Sequence, residues 1–101
     1  MSVLSAKIGE ILVKTTHSKD LDDALHKIIS EYLELKLNTL QGIIDKFREK
    51  WDMNFEDFKE RIKDGRLNKD IYSFDVEQDF WKWEEAETLK KHYEEIKSLW
   101  I

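Results

Sequence analysis

Proline and cysteine are both absent from this 101-residue chain, and glycine occurs only at Gly9, Gly42 and Gly65. Without cysteine there is no disulfide, no thiolate nucleophile and no cysteine-ligated metal. With so few backbone breakers, helices should run long and stop only at polar turns. Long apolar runs are missing as well, and none approaches the ~20 residues that span a bilayer. The N-terminus, Met-Ser-Val-Leu-Ser-Ala-Lys, has no basic stretch leading into an apolar one, so no signal peptide is expected and the cytoplasm is the expected location. A net charge of −5 disfavours broad nucleic-acid affinity, which needs clustered Lys and Arg.

What the chain does have is charge and rings. Charged residues make up 39% of it, well above the usual quarter, and aromatics 12%. That composition fits one helical domain over residues 1–101, built from long amphipathic helices with wet outer faces. The charge is unevenly placed. Asp70–Thr88 holds seven acids (Asp70, Asp75, Glu77, Asp79, Glu84, Glu85, Glu87) against one base, Lys82, while residues 1–69 carry thirteen of each sign. Tyr72, Phe74, Phe80, Trp81 and Trp83 lie in the same segment. Large apolar surface beside concentrated negative charge points to a surface that meets something basic.

The N-terminal segment, 1–17, reads two ways. Leu4, Ile8, Ile11 and Thr15 recur at helical spacing, yet Val3–Ile8 also fits a short edge strand; helix is the preferred reading. Thr15-Thr16-His17-Ser18 reads as a turn, with Ser18 as N-cap of the next helix and Asp20, Asp22 and Asp23 near its positive end. Nothing then stops a helix until residue 52. Leu21, Leu25, Ile28, Tyr32 and Leu35 form one stripe on it; Leu33, Leu37, Leu40, Ile44, Phe47 and Trp51 form a second, spaced as a heptad seam. A helix over 19–51 would be about 50 Å long at ~1.5 Å per residue. To bury its stripes, the chain must double back along it or a second copy must lie alongside. The seam therefore reads either as intramolecular packing or as a dimer interface. Gly42 inside it costs ~1 kcal/mol relative to alanine and would fit a close helix crossing.

Asn54 is an N-cap candidate for a short helix over 54–65. Met53 and Phe58 sit at the hydrophobic-staple positions, Phe55, Phe58 and Ile62 form its buried face, and Gly65 provides the left-handed stop. After a polar link from Arg66 to Tyr72, Ser73 or Asp75 caps a last helix over 73–99. Val76, Phe80, Trp83, Ala86, Leu89 (or Lys90), Tyr93, Ile96 and Trp100 lie near one face of it. At ~100° per residue Trp81 stands roughly 200° from Trp83, so one of the two indoles must leave the apolar stripe.

Catalytic chemistry finds little support. His17, His26 and His92 are scattered and belong to no motif. Asp22 and His26 have the i,i+4 spacing of a metal pair, but third and fourth ligands are missing; a helix-stabilising pair is the plainer reading, as for His92 and Glu95. Glu84/Glu85 and Glu94/Glu95 are adjacent helix acids that point to different sectors rather than acting as an acid–base pair. There is no phosphate-binding loop, no HExxH and no nucleophile elbow. Neither a metal nor a cofactor is expected. For Phe80 and Trp83 core packing is the better reading; for Trp81, Tyr72 and Phe74 a binding surface is, since Trp and Tyr are enriched at interface hot spots.

The run Phe47-Arg48-Glu49-Lys50-Trp51-Asp52-Met53-Asn54-Phe55-Glu56-Asp57-Phe58, then Gly65, then Asp75-Val76-Glu77-Gln78-Asp79-Phe80-Trp81-Lys82-Trp83-Glu84, resembles a pattern in small prokaryotic, often archaeal, antitoxin-like proteins of toxin–antitoxin pairs, those encoded beside TumE-like toxins. In that pattern an aromatic-glycine precedes Met-Ser-Phe-Glu-Glu-Phe, and Asp-Tyr-Trp-Glu-Trp-Glu follows. Here Asp52 stands for the glycine, Asn54 for the serine and Phe80 for the tyrosine, over a match of roughly residues 33–90. The resemblance implies a non-enzymatic protein that neutralises a toxin, with toxin-binding positions at Phe80, Trp81, Trp83, Glu84 and the flanking acids.

The expectation is therefore an all-α protein, a helical homodimer with a long central helix, a short capped helix and an aromatic, acidic C-terminal helix. A basic toxin would be bound by Tyr72, Phe74, Asp79, Phe80, Trp81, Trp83 and Glu84, and the dimer would close on Leu33, Leu37, Leu40, Ile44, Phe47 and Trp51. The competing readings are a self-assembling helical bundle and a DNA-binding autorepressor. The second is disfavoured because Gly9–Thr16 is short for the first helix of a ribbon-helix-helix and the N-terminal half has no basic ribbon.

Overall fold

Polar caps divide the chain into helices. The computed structural model describes residues 5–67 and 74–100, of Phe74 the backbone alone. Its helices are α1 (Ala6–Thr15), α2 (Leu21–Trp51), α3 (Phe55–Asp64) and α4 (Phe74–Trp100), and the described residues contain no strand. The fold is all-α, with the long, the short capped and the acidic aromatic helices in the expected order. By packing, the chain forms two compact units, Met1–Leu35 and Lys36–Ile101, and α2 contributes to both.

In the first unit the ambiguous N-terminal segment is a helix. The Ser5 hydroxyl caps α1, accepting from the Ile8 amide at 3.2 Å. The helix stops at His17, whose φ of 53° places it in the left-handed region. The Ser18 amide donates to Val13 O and the His17 amide to Lys14 O, the paired bonds of a Schellman stop. Lys27 reaches back from α2 to the Thr16 and His17 carbonyls, both at 3.3 Å, and places its charge at the negative end of α1. The face marked by Ile8, Ile11 and Thr15 is exposed, so it is not the packing face; Gly9, Leu12, Val13 and Thr16 are half-buried instead. The cap of α2 is also two residues away from its expected place. Asp20 Oδ1 accepts from the Asp23 amide at 2.8 Å, and Asp23 Oδ2 accepts in return from the Lys19 amide at 3.3 Å. Ser18 instead bonds the Thr16 hydroxyl.

The second unit holds the main core: Leu40, Ile44, Phe55, Phe58, Val76, Trp83 and Ala86 are buried, with Phe47, Trp51, Met53, Ile62, Phe80, Leu89 and Tyr93 packed around them. The seam residues Leu40, Ile44, Phe47 and Trp51 thus pack against α3 and α4 of the same chain. Leu33 is buried in the first unit and Leu37 is half-buried. From Leu40 to Trp51 the seam packs within the chain, the intramolecular alternative of the sequence reading, while Leu37, Phe47 and Trp51 stay half-buried.

α3 is held as its sequence foretells. Asn54 Oδ1 accepts from the Asp57 amide at 2.9 Å, and Gly65, at φ 69°, ends the helix with bonds from its own amide and that of Arg66. Asp52 also has positive φ, 54°, at the break between α2 and α3. This is the position where the resembling pattern carries glycine, the residue that adopts such a backbone without a Cβ penalty. Gly42 marks no close crossing, since a Cβ placed there meets nothing within 4 Å. Of the two proposed caps for α4, Asp75 lies inside the helix and Ser73 lies outside the described residues.

Candidate functional site

Rings organise the N-terminal third of α4. Trp83 is fully buried, stacked on Phe47 with centroids 5.6 Å apart and tilted against Phe55 at 5.4 Å and Phe58 at 5.1 Å. Phe58 in turn meets Trp51 at 4.8 Å. Each such pair contributes about 0.5–1.5 kcal/mol beyond the area it buries, so Trp83 is a structural hub. Its indole N–H has no hydrogen-bond partner among the described residues. A partner protein could reach Trp83 only by unfolding the unit, which removes it from the expected binding set.

Asp79 leaves that set for a different reason. It is 8% exposed, and its Oδ2 accepts from Trp51 Nε1 at 3.0 Å and pairs with Lys50 Nζ at 2.6 Å. The carboxylate therefore ties the end of α2 to α4. Its register shows why: residue 79 falls three after Val76 and four before Trp83, on the buried stripe. Counted as one acid in an acidic run, Asp79 looks like surface; placed on the helix, it is core.

Trp81 is the indole that leaves the stripe, with 61% of its surface exposed. It is nevertheless seated: its ring meets Phe80 edge-on at 6.1 Å, and Phe80 meets Phe55 of the core at 5.6 Å. Glu77, Gln78, Glu84 and Glu85 stand at i−4, i−3, i+3 and i+4 from Trp81, its neighbours on the helix surface. Glu77 and Glu85 are exposed and Glu84 is half-buried. None of these three carboxylates makes an ion pair with another described residue. Glu77 and Glu85 are among the flanking acids expected from sequence, and their three-and-four spacing around Trp81 is what singles them out. Tyr72 and the Phe74 side chain lie outside the described residues.

Two grooves border this face. An apolar one of about 250 Å³ runs between α2 and α4, lined by Leu40, Ile43, Phe47, Ala86 and Leu89, with Lys82 and Glu85 at its rim. On the other side a groove of about 610 Å³ is lined by Arg48, Lys59, Lys90 and Lys91 against Glu56, Glu84, Glu87 and Glu94. Its charges balance, so it selects no ion class. The described residues hold no cluster of three or more His, Asp or Glu side chains placed to bind a metal ion. No described helix is long and apolar enough to cross a membrane.

No protein-family model matches the chain, and neither a curated protein nor a solved structure does.

Proposed function

We propose that this chain is a non-enzymatic interaction protein of the cytoplasm, an antitoxin that neutralises a basic toxin through the exposed face of α4 around Trp81. The observation that carries the reading is the seated but open indole of Trp81 among Glu77, Glu84 and Glu85, acids that form no ion pair with a described residue. An exposed tryptophan seated against a neighbouring ring loses less side-chain freedom on binding, which is what an interface anchor requires. The acidic field speeds encounter with a basic surface and orients it. Of the seven residues expected from sequence, the buried Asp79 and Trp83 leave the binding set. Trp81 and Glu84 stay in it with the flanking acids Glu77 and Glu85, and Tyr72 and the Phe74 side chain lie outside the described residues. Phe80 supports the set through its edge-on contact with Trp81.

A homodimer remains part of this proposal, but it must use surface other than the heptad seam, since Leu33, Leu40 and Ile44 are buried within the chain. The test is co-expression with the protein encoded by the adjacent reading frame. That protein should be basic and should arrest growth alone, and the wild-type chain should restore growth. Trp81→Ala combined with Glu84→Lys should abolish rescue while leaving helicity and melting temperature unchanged. Full rescue by the double variant would exclude this face as the neutralising surface.

A further inference from the structure

The chemistry of the face around Trp81 narrows the partner further, resting on the interaction-protein reading above. Unlike Asp79 in the same segment, which is paired with Lys50, Glu77, Glu84 and Glu85 form no ion pair with a described residue, although Lys82 shares a groove with Glu85, and Arg48, Lys59, Lys90 and Lys91 share one with Glu84. A purely apolar partner covering Trp81 would strip water from these carboxylates without replacing it, which is costly. A compact ammonium would satisfy the acids but is strongly hydrated and offers no flat surface to the ring. A guanidinium satisfies both demands. It is planar, weakly hydrated, stacks on an indole, and has five N–H donors for carboxylates around the ring edge.

We propose that Trp81 with Glu77, Glu84 and Glu85 is a receptor for an arginine side chain of the partner protein, the guanidinium lying flat on the exposed indole and donating to the surrounding carboxylates. An edge-on contact with Phe80 seats the indole before the arginine arrives. Arginine is then preferred over lysine at equal charge, a distinction that an unstructured acidic patch does not make.

The test uses the full chain and two nine-residue probes, oligo-arginine and oligo-lysine, at equal ionic strength. Binding is followed by calorimetry and by the Trp81 indole N–H resonance, assigned with Trp81→Phe. The arginine probe should bind about fivefold more tightly than the lysine probe. It should also shift the Trp81 resonance while leaving that of the buried Trp83 in place. Trp81→Leu should erase the preference, leaving weak, salt-sensitive binding of both probes. Glu84→Gln with Glu85→Gln should weaken both probes while retaining some arginine preference, and both variants should melt as the wild type does. Equal affinities for the two probes, or a preference that survives Trp81→Leu, would overturn the proposal. Its fate is separable from that of the antitoxin reading. Toxin rescue that depends on Trp81 without arginine preference sinks only the receptor; arginine preference without any toxin rescue sinks only the antitoxin.

Discussion

Asp79 was expected at a partner interface and lies instead in the joint between α2 and α4, so its replacement distinguishes the two roles. Asp79→Ala removes the acceptor of the Trp51 indole N–H and the counter-charge of Lys50. Losing a part-buried hydrogen bond to a charged acceptor costs about 1.5–3 kcal/mol. The ion pair adds less, because the Lys50 side chain is 48% exposed and a pair that reaches water is worth roughly 0–1 kcal/mol. We therefore expect Asp79→Ala to lose about 2–3 kcal/mol in urea unfolding. Asp79→Asn keeps an acceptor for the indole and should lose only about 1 kcal/mol. Lys50→Met should lose less than either. Trp51→Phe removes the donor from the other side, and a double-mutant cycle of Trp51→Phe with Asp79→Ala should give a coupling of roughly 1 kcal/mol. If Asp79→Ala and Lys50→Met cost the same, the carboxylate acts only as a surface charge and the joint is misassigned. A vanishing coupling energy would remove the indole bond as its cause.

The remaining predictions concern backbone, core and pH. Gly42→Ala should stabilise the chain by about 0.8–1 kcal/mol, because the site is an open helical position. Gly65→Ala should destabilise it by about 1–2 kcal/mol through its left-handed backbone; thermal melts showing the same sign for both would contradict the assignments. Asp52→Gly should be neutral to stabilising, up to about 1 kcal/mol, by relieving the positive φ. Trp83→Ala should cost about 3–5 kcal/mol and collapse the near-ultraviolet dichroism, whereas Trp81→Ala should change stability little. The Lys19 backbone amide, and after it Lys27, hold the Asp23 carboxyl below its ordinary value of 3.8. A lowered acid stabilises the fold above its unfolded pKa and loses that contribution as pH falls through the folded one, so Asp23 should matter above pH 3.8 and fade below it. An Asp23 titration midpoint at or above that of an unstructured aspartate in NMR would contradict this.

Legibility followed the range of the forces involved. α3 could be read because its determinants are local: Asn54 at the cap, Met53 and Phe58 in the staple positions, Gly65 at the stop. The stop of α1 could not, because it depends on His17 adopting a left-handed backbone that sequence marks only weakly, histidine being merely enriched there. The cap of α2 is Asp20 and not Ser18 for a related reason: both residue types cap well, and the Ser18 hydroxyl bonds the neighbouring Thr16 hydroxyl instead. The heptad seam was correctly seen as a packing surface, but its partner depends on where α3 and α4 fold, information spread across the chain. Trp81 and Trp83 were separable by helical angle alone. Asp79 is core by that same angle, whereas by charge it reads as surface; this is why it leaves the expected site while its acidic neighbours Glu77 and Glu85 stay exposed.

The most direct test of the central claim is the affinity of the purified protein from the adjacent reading frame, titrated calorimetrically into the wild-type chain and into Trp81→Ala/Glu84→Lys. The account predicts tight binding to the wild type and a loss of roughly a hundredfold or more in the double variant, from an interface anchor removed and a charge reversed, with both chains equally stable. Equal affinity for the two chains would contradict it.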